Sequence, residues 1–323
     1  MENIRTINKN QKKKIVISNN LILLIIFVIL FIVFSFLDKG FLTYYNISTM
    51  LRNMVPTGII AIGLTPVMIS RGMDVSFGSN LSLTTVIIAL LYNAGINIYL
   101  IIIIALLSSA AISFLNGVLI EYFNLNALIT TLGSMSIYLA LALVFSNGNP
   151  VGAMSDKLYK LSYGSIFKVP TAVWFFILIS IIYYVILNYT VAGRTVYVIG
   201  ANPQASYSVG VKVKKVRIML YLFFGLVVGI AAVITTGSIG TGYAYHGYNL
   251  LLPVLSAILL SGIGLEGGSG TIWGTILGVL LVTVIFNGLS VMGVSSDKIQ
   301  ILQGVLLIII VATYEIRSKK IKE

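Results

Sequence analysis

Few side chains in this sequence could take part in covalent or acid–base chemistry. The 323 residues include no cysteine, nine acids and a single histidine, His246. Without cysteine there is no disulfide, thiolate–zinc or iron–sulfur site, and one histidine removes most imidazole-based schemes. The phosphate-binding pattern G-x-x-x-x-G-K-[ST] is also absent from the sequence. We therefore predict no catalytic residues, no metal site and no cofactor, and any use of ATP would need another subunit.

Glycines interrupt the apolar sequence at three places, and the first interruption contains an acid. Gly72-Met73-Asp74-Val75-Ser76-Phe77-Gly78 follows an apolar run. Gly72 and Gly78 permit backbone turns that other residues resist, and Asp74 or Ser76 can cap the following helix. The segment is either a plain helix break or a broken helix beside a transport path, and both descriptions can hold. The candidates for the path or the break are Gly72, Asp74, Ser76, Gly78, Asn116 and Asn287.

The second interruption is a basic segment, residues 189–217, between two apolar runs. Asn202-Pro203 predicts a helix start, because proline suits the first helical position. Residues 203–209 could then form a short amphipathic helix that fits a groove on a soluble partner. An ordinary basic loop is the alternative. The candidate contact residues are Gly193, Arg194, Tyr197, Gly200, Asn202, Pro203 and Ala205.

The third interruption, at residues 266–270, leads into a run of regularly spaced glycines. Gly270, Gly274 and Gly278 recur every four residues, which predicts one smooth helix face that lets another helix approach closely. We therefore predict a role in helix packing for Gly267, Gly268, Gly270, Gly274 and Gly278.

The elements that carry these motifs must be membrane-spanning helices. The chain is 58% hydrophobic and only 9% charged, with a mean hydropathy of +1.02, whereas soluble domains carry roughly 25% charged residues. Because a helix needs roughly 20 apolar residues to cross the bilayer, we predict an all-α integral membrane protein with about ten spans. They are 21–37, 53–70, 79–92, 97–119, 125–145, 171–188, 217–236, 249–264, 271–289 and 299–314. The third and eighth are short and are expected to be broken or re-entrant.

Lysine and arginine counts predict the orientation. With ten crossings and the N-terminus inside, the cytoplasmic segments hold fifteen of these residues and the external segments six, as the positive-inside rule requires. This predicts cytoplasmic tails at 1–20 and 315–323, a transmembrane domain at 21–314 with an uncleaved first helix, and a place in the cell membrane. The net charge of +12 thus reflects orientation in lipid, and no nucleic-acid partner is expected.

Two five-helix halves of inverted topology are suggested by weak internal similarity. Residues 69–78 resemble 260–268 at an offset of 191, and Asn116-Gly117 resembles Asn287-Gly288 at an offset of 171. Many transporters have such halves. Chance similarity between apolar segments is the alternative.

These motifs, in this order, resemble the permease family of ribose-type ABC importers, also called the branched-chain amino acid/sugar permease superfamily. The family's Gly-Ile-Asp-Leu-Ser-x-Gly signature is matched from Gly72 to Gly78. Its loop Gly-Arg-x-x-Tyr-x-Ile-Gly-x-Asn-Pro-x-Ala is matched from Gly193 to Ala205. Its later Gly-Gly-x-Gly-x-x-x-Gly is matched from Gly267 to Gly274, and its Asn-Gly by Asn287-Gly288. One departure is that many relatives carry Glu-Leu-Asp where this chain has Leu250-Leu251-Leu252-Pro253.

The resemblance implies a permease subunit that translocates a sugar or a similar small polar solute. It implies a second permease subunit, ATP-binding subunits that contact the segment from Gly193 to Ala205, and an extracytoplasmic solute-binding protein. The alternative is an ion-coupled secondary carrier that works without an ATPase. No acid lies inside the ten predicted spans, which argues against proton coupling, although sodium held by backbone carbonyls stays open. A membrane-embedded enzyme would lack a catalytic set. Ribose, other sugars, inositol, nucleosides and autoinducer-2 all remain open as cargo.

Overall fold

The structure is a computed structural model that describes residues 19–264 and 266–322, with side chains described as far as residue 313. Most of the predicted N-terminal tail, residues 1–18, and the last residue of the predicted C-terminal tail lie outside the described residues. Eight helices of the described part are long and apolar enough to cross a membrane, so the chain is an all-α multi-pass membrane protein.

Thirteen α-helices and four two-residue strands make up the described part of the chain. The first five helices are α1 (Asn19–Leu37), α2 (Tyr44–Ile69), α3 (Phe77–Asn93), α4 (Ile98–Tyr122) and α5 (Ala127–Phe145). Between α5 and α7 (Thr171–Tyr189) lie β1 (Val151–Gly152), α6 (Asp156–Tyr163), β2 (Ser165–Ile166) and β3 (Val169–Pro170). Next come α8 (Val191–Ala201), α9 (Pro203–Ser208), α10 (Val213–Ile239) and β4 (Thr241–Gly242). A 3-10 helix (Tyr248–Leu250), α11 (Leu251–Leu260), α12 (Ile272–Val291) and α13 (Ser296–Lys322) complete the chain.

Each of the ten predicted spans falls on a helix, but two of these helices are short. The third span is α3, with 17 residues, and the eighth is α11, with 10. The count of ten crossings therefore stays a prediction. The basic segment 189–217 is mostly helical, because it contains α8, α9 and the start of α10. The predicted short helix after Asn202 is α9, and the Asn202 side chain caps it by accepting from the Ala205 N–H at 3.0 Å.

The core of the bundle is formed by α2, α3 and α10, which are covered by the other helices. Along α2 almost every residue from Met54 to Ile69 is buried, so this helix is surrounded by protein rather than lipid. The packing has an internal correspondence: α3 contacts α4, α5 and α10, whereas α11 contacts α12, α13 and α2. The α1 helix packs on α12, and α7 packs on α2.

The segment between α10 and α11 returns into the bundle alongside α3. It begins at β4, which pairs with β1. The Tyr243 N–H then donates to Thr85 Oγ1 at 3.3 Å, and the Gly247 N–H donates to Ser82 Oγ at 2.9 Å. Because Thr85 and Ser82 lie one turn apart on α3, the segment descends along that helix before α11 begins. The part of the segment that ends at Gly247 is therefore held by buried side chains of α3.

Candidate functional site

The three glycine-rich motifs meet at one end of the bundle, which we call the Arg71 end. Arg71 follows α2 with a left-handed backbone (φ 67°). Its Nε donates to the Gly200 carbonyl oxygen at 2.6 Å, and its Nη2 donates to the Ala201 carbonyl oxygen at 2.8 Å. These are the last carbonyls of α8, which have no partner inside their own helix. The Gly268 N–H donates to the Ile69 carbonyl oxygen at 2.8 Å, which ties the third motif to the same point.

Gly200 lies in backbone contact with two of the other segments. A Cβ atom at this position would be 1.9 Å from the Ile69 carbonyl oxygen and 2.6 Å from the Gly268 nitrogen. Real Cβ atoms essentially never approach other heavy atoms closer than 3.0 Å. Only glycine therefore permits the three segments to meet as they do. The neighbouring Tyr197 hydroxyl donates to the Gly270 carbonyl oxygen at 2.9 Å, and burial raises the pKa of this hydroxyl, so it stays protonated as a donor.

The outer face of α8 and α9 is open at the same end. Arg194, Asn202 and Ala205 are exposed, and so are the apolar side chains of Val198, Tyr207 and Val209. Gly193 is different because it is buried at the turn from α7 into α8, where the Thr190 hydroxyl accepts from its N–H at 3.2 Å. Pro203 begins α9. The second motif thus has an inner side that contacts the helix break and an outer side that is free for a partner.

Arg217 also joins helices at the Arg71 end. Sequence reasoning counted it only among the basic residues that predict the orientation in the membrane. Its Nε and Nη2 donate to the Ser70 carbonyl oxygen at 2.9 and 2.7 Å, and its Nη1 lies 3.2 Å from Glu121 Oε1. It therefore joins α10 and α4 to the end of α2. No motif marks this pair, because the two residues are 96 positions apart.

A fully buried polar network occupies the break between α2 and α3. Asp74 Oδ1 accepts from the Ser76 N–H at 2.8 Å and from the Ser76 hydroxyl at 2.6 Å. The Asn116 amide donates to Ser76 Oγ at 2.8 Å and to Asp74 Oδ2 at 3.3 Å, and its oxygen accepts from Ser134 and Tyr138 at 2.7 and 3.1 Å. The predicted N-cap is wrong in one respect, since the Ser76 side chain makes no capping bond to α3. The argument against proton coupling, which rested on the lack of acids inside the predicted spans, also weakens, because Asp74 is completely buried.

Asn287 does not join this network. Its side-chain amide pairs reciprocally with that of Asn46, in the first turn of α2, and both N–H···O distances are 3.0 Å. The structure therefore separates Asn116 and Asn287, which were grouped as candidates for one path. Gly72 is also outside the network, where it packs against Val67 and the Tyr221 hydroxyl.

The predicted packing role fits only part of the third motif. Gly278 lies against the Ala257 carbonyl of α11, and Gly274 is near the Ser261 carbonyl. Gly270 does not share their helix face, because α12 begins only at Ile272 and the φ of 137° at Gly270 is not helical. Gly267 and Gly268 also have positive φ values, so they form the turn before α12.

A cavity of about 640 Å³ opens between α3, α5, the start of α11 and α13. Of the predicted path residues, only Gly78 lines it. Its polar lining is Ser79 and Ser82 on α3, Asn249 before α11, and Asp297, Gln300 and Gln303 on α13. Sequence reasoning named none of these six residues. For the three on α13, the spacing of three residues at the start of an otherwise apolar helix was the available signal, because it places them on one face.

One family model and several known proteins are similar in sequence to this chain. The family model described as "Branched-chain amino acid transport system / permease component" matches residues 46–311. The chain is 33% identical over 285 residues to the ribose import permease protein RbsC of Bacillus subtilis (strain 168), which covers 88% of each chain. It is 30% identical to RbsC of Escherichia coli (strain K12), over 88% of this chain and 90% of the relative. It is 29% identical to the autoinducer 2 import system permease protein LsrD of Escherichia coli O9:H4 (strain HS), over 92% of each. No solved structure matches the chain significantly.

Proposed function

Because this chain belongs to the permease family of branched-chain amino acid and sugar transport systems, and is therefore the membrane subunit of an ABC importer, we propose that it carries a sugar or a similar small polar solute. ATP hydrolysis belongs to separate subunits, so the chain is not an enzyme. The family implies an ATP-binding subunit, a solute-binding protein and a second permease subunit. The relatives give no support to a secondary carrier that works alone.

The cavity beside α13 is the observation that carries the proposed cargo class. Its amides and hydroxyls (Asn249, Gln300, Gln303, Ser79 and Ser82) can donate and accept hydrogen bonds. Sugars present hydroxyl groups that need both. The relatives are named for importing ribose and autoinducer 2, and both names agree with a small polar solute.

The orientation and the number of crossings are part of the proposal. We place the Arg71 end and both termini in the cytoplasm, because the fifteen-to-six distribution of basic residues favours it. With ten crossings, the transmembrane domain comprises residues 21–314, and the tails 1–20 and 315–323 are cytoplasmic. The importer then lies in the cell membrane.

We also propose two related halves within the helix bundle. The contacts of α3 correspond to those of α11 when α2 is exchanged with α10, α4 with α12 and α5 with α13. This correspondence supports the pairing of Asn116 with Asn287, which lie near the ends of α4 and α12. It does not support the pairing of residues 69–78 with 260–268. When α3 corresponds to α11, the break before α3 corresponds to the segment before α11, whereas residues 260–268 lie at and after the end of α11.

The outer face of α8 and α9 is the proposed contact with the ATP-binding subunit. The exposed side chains of Arg194, Val198 and Val209 offer one charge and two apolar contacts. Behind them, the carbonyl of Gly200 is bonded to Arg71. A displacement of α8 by the ATP-binding subunit would therefore act directly on the break between α2 and α3.

A transport assay tests the cargo class. The chain is reconstituted with its ATP-binding subunit and solute-binding protein, and uptake of labelled pentoses, hexoses and amino acids is measured. We expect uptake of one sugar-like solute, reduced about tenfold in the Gln300→Ala/Gln303→Ala double variant, because each lost hydrogen bond contributes about 0.5–1.5 kcal/mol. Asn188→Ala, which removes an exposed amide on α7, is the control. Uptake of amino acids only, or unchanged uptake by the double variant, would contradict the proposal.

The coupling surface is tested with Arg194→Glu and Val209→Asp. We expect each variant to lose most of the ATPase stimulation that loaded binding protein produces, with unchanged amounts of permease in the membrane. Asn188→Ala, which removes an exposed amide near the end of α7, is the control. Full stimulation in both variants would show that the ATP-binding subunit docks elsewhere.

A further inference from the structure

A long apolar groove runs along the outside of the bundle between α7 and α10. It encloses about 840 Å³, Pro66 of α2 lies at its base, and the first turns of α8 close it at the Arg71 end. Along α7 and the residue that follows it, the groove extends from Ile179 to Thr190, which is about 17 Å at the helical rise of 1.5 Å per residue. That length equals about half of a 30 Å hydrocarbon core, or one leaflet.

The groove offers almost no hydrogen bonds along its length. The Tyr183 hydroxyl donates to the Phe223 carbonyl at 3.4 Å, the Thr190 hydroxyl to the Ile186 carbonyl at 2.6 Å, and the Thr195 hydroxyl to the Val191 carbonyl at 2.9 Å. The hydroxyl donors of its lining are thus already used inside the protein. Such a surface suits an alkyl chain and does not suit a sugar.

The mouth of the groove at the Arg71 end is positively charged. Lys212 and Lys215 line it, and both side chains are exposed. Lys212 is also the N-cap residue of α10, and its side chain forms no capping hydrogen bond. The N-terminus of a helix attracts anions through its free N–H groups and its dipole. Two lysines and an uncapped helix start therefore stand where the apolar groove ends.

We propose that this groove binds one anionic phospholipid of the leaflet at the Arg71 end. An acyl chain lies between α7 and α10, and the headgroup phosphate contacts Lys212, Lys215 and the start of α10. Basic pockets between membrane helices are typical sites for anionic headgroups. Because α8 closes the groove, the bound lipid contacts the same helix that carries the coupling surface on its other side.

A second permease subunit would fit the site less well. Packing between membrane helices favours small residues at the interface, whereas this groove is bordered by bulky exposed side chains such as Ile182 and Phe223. The two lysines at its mouth would also need acidic partners on the second copy.

Native mass spectrometry of the purified full-length chain tests the proposal. The chain is mixed with nanodiscs or micelles that contain phosphatidylglycerol or phosphatidylethanolamine of identical acyl composition. We expect one phosphatidylglycerol to be retained in preference to phosphatidylethanolamine. Since each lysine near an anionic surface contributes about a fivefold change in binding, Lys212→Gln/Lys215→Gln should weaken retention about 30-fold. Lys157→Gln/Lys160→Gln removes the same charge at the opposite end and should change nothing.

A second pair of variants tests the apolar part of the groove. Leu226→Trp fills the groove on α10 and should also abolish retention, whereas Leu141→Trp on the exposed side of α5 should not. Equal retention of the two lipids, or unchanged retention after the Lys212 and Lys215 substitutions, would overturn the proposal. Disulfide cross-links between two copies of the Ile186→Cys variant would also overturn the proposal, because they would identify the groove as a permease–permease interface. These readouts do not involve cargo, so a failure of the proposed function would leave them unaffected.

Discussion

The substitution Gly200→Ala should break the junction at the Arg71 end, although it adds only one methyl group. The new Cβ would lie 1.9 Å from the Ile69 carbonyl oxygen, so the end of α2 and the end of α8 must separate by more than 1 Å to restore ordinary contact. Overpacking of this kind costs about 1–3 kcal/mol. The hydrogen bonds Gly268 N–H to Ile69 O and Arg71 to Gly200 O would lengthen, at about 0.5–1.5 kcal/mol each. The expected loss is about 2–6 kcal/mol of stability.

Two assays measure this effect in the purified chain. The thermal unfolding midpoint in detergent should fall by at least a few degrees, and solute-stimulated ATPase activity of the reconstituted importer should fall with it. Gly133→Ala is the matched control, because a Cβ at that α5 position meets nothing within 4 Å and alanine favours a helix by about 0.5–1 kcal/mol. The reasoning would be refuted if Gly200→Ala unfolded at the same temperature as the unaltered chain and kept full ATPase stimulation.

Three further predictions follow from the buried polar groups. Asn116→Leu should cost about 2–4 kcal/mol, because it leaves a buried carboxylate and three hydroxyls without their amide partner. Asn93→Leu at an exposed position should cost less than about 1 kcal/mol, and thermal unfolding compares the two variants. Burial lowers the pKa of His246, against the opposing effect of a backbone hydrogen bond. The unfolded chain therefore takes up this proton first, so stability should be constant above about pH 6.5 and fall at lower pH. His246→Gln should remove that component from unfolding curves recorded between pH 7.5 and 5. Arg217→Met should cost about 3–5 kcal/mol by leaving Glu121 unpaired, and adding Glu121→Gln should recover most of the loss; no recovery in the double variant would contradict the pairing.

Helix positions could be predicted from the sequence because lipid imposes a simple rule. A span must be apolar and about 20 residues long, and hydropathy reads both properties directly. The short helix α9 was also predictable, since Asn202 and Pro203 define a helix start by their own local chemistry. In each case the determining interaction lies within a few residues along the chain.

Interactions between distant residues could not be predicted in this way. In the sequence, Arg71 and Arg217 contribute only to the count of basic residues that predicts the membrane orientation. In the structure, their guanidinium groups bond to carbonyls 129 and 147 residues away. Nothing local indicates that the segment before α11 descends along α3. The cavity lining was missed for the same reason, because Ser82 on α3 and Gln303 on α13 come to line one cavity only when the chain folds.

At Gly247 the descending segment before α11 meets α3 backbone to backbone. Gly78 and Gly247 lie so close that a Cβ on Gly247 would be 1.9 Å from the Gly78 carbonyl oxygen, and Gly78 also lines the cavity. Two bare backbones leave no gap wide enough for water between them. They also present no side chains that interlock, so the hydrogen bond from the Gly247 N–H to Ser82 Oγ helps to fix their register. At this point the wall of the cavity is closed by two backbones, without a side chain between them.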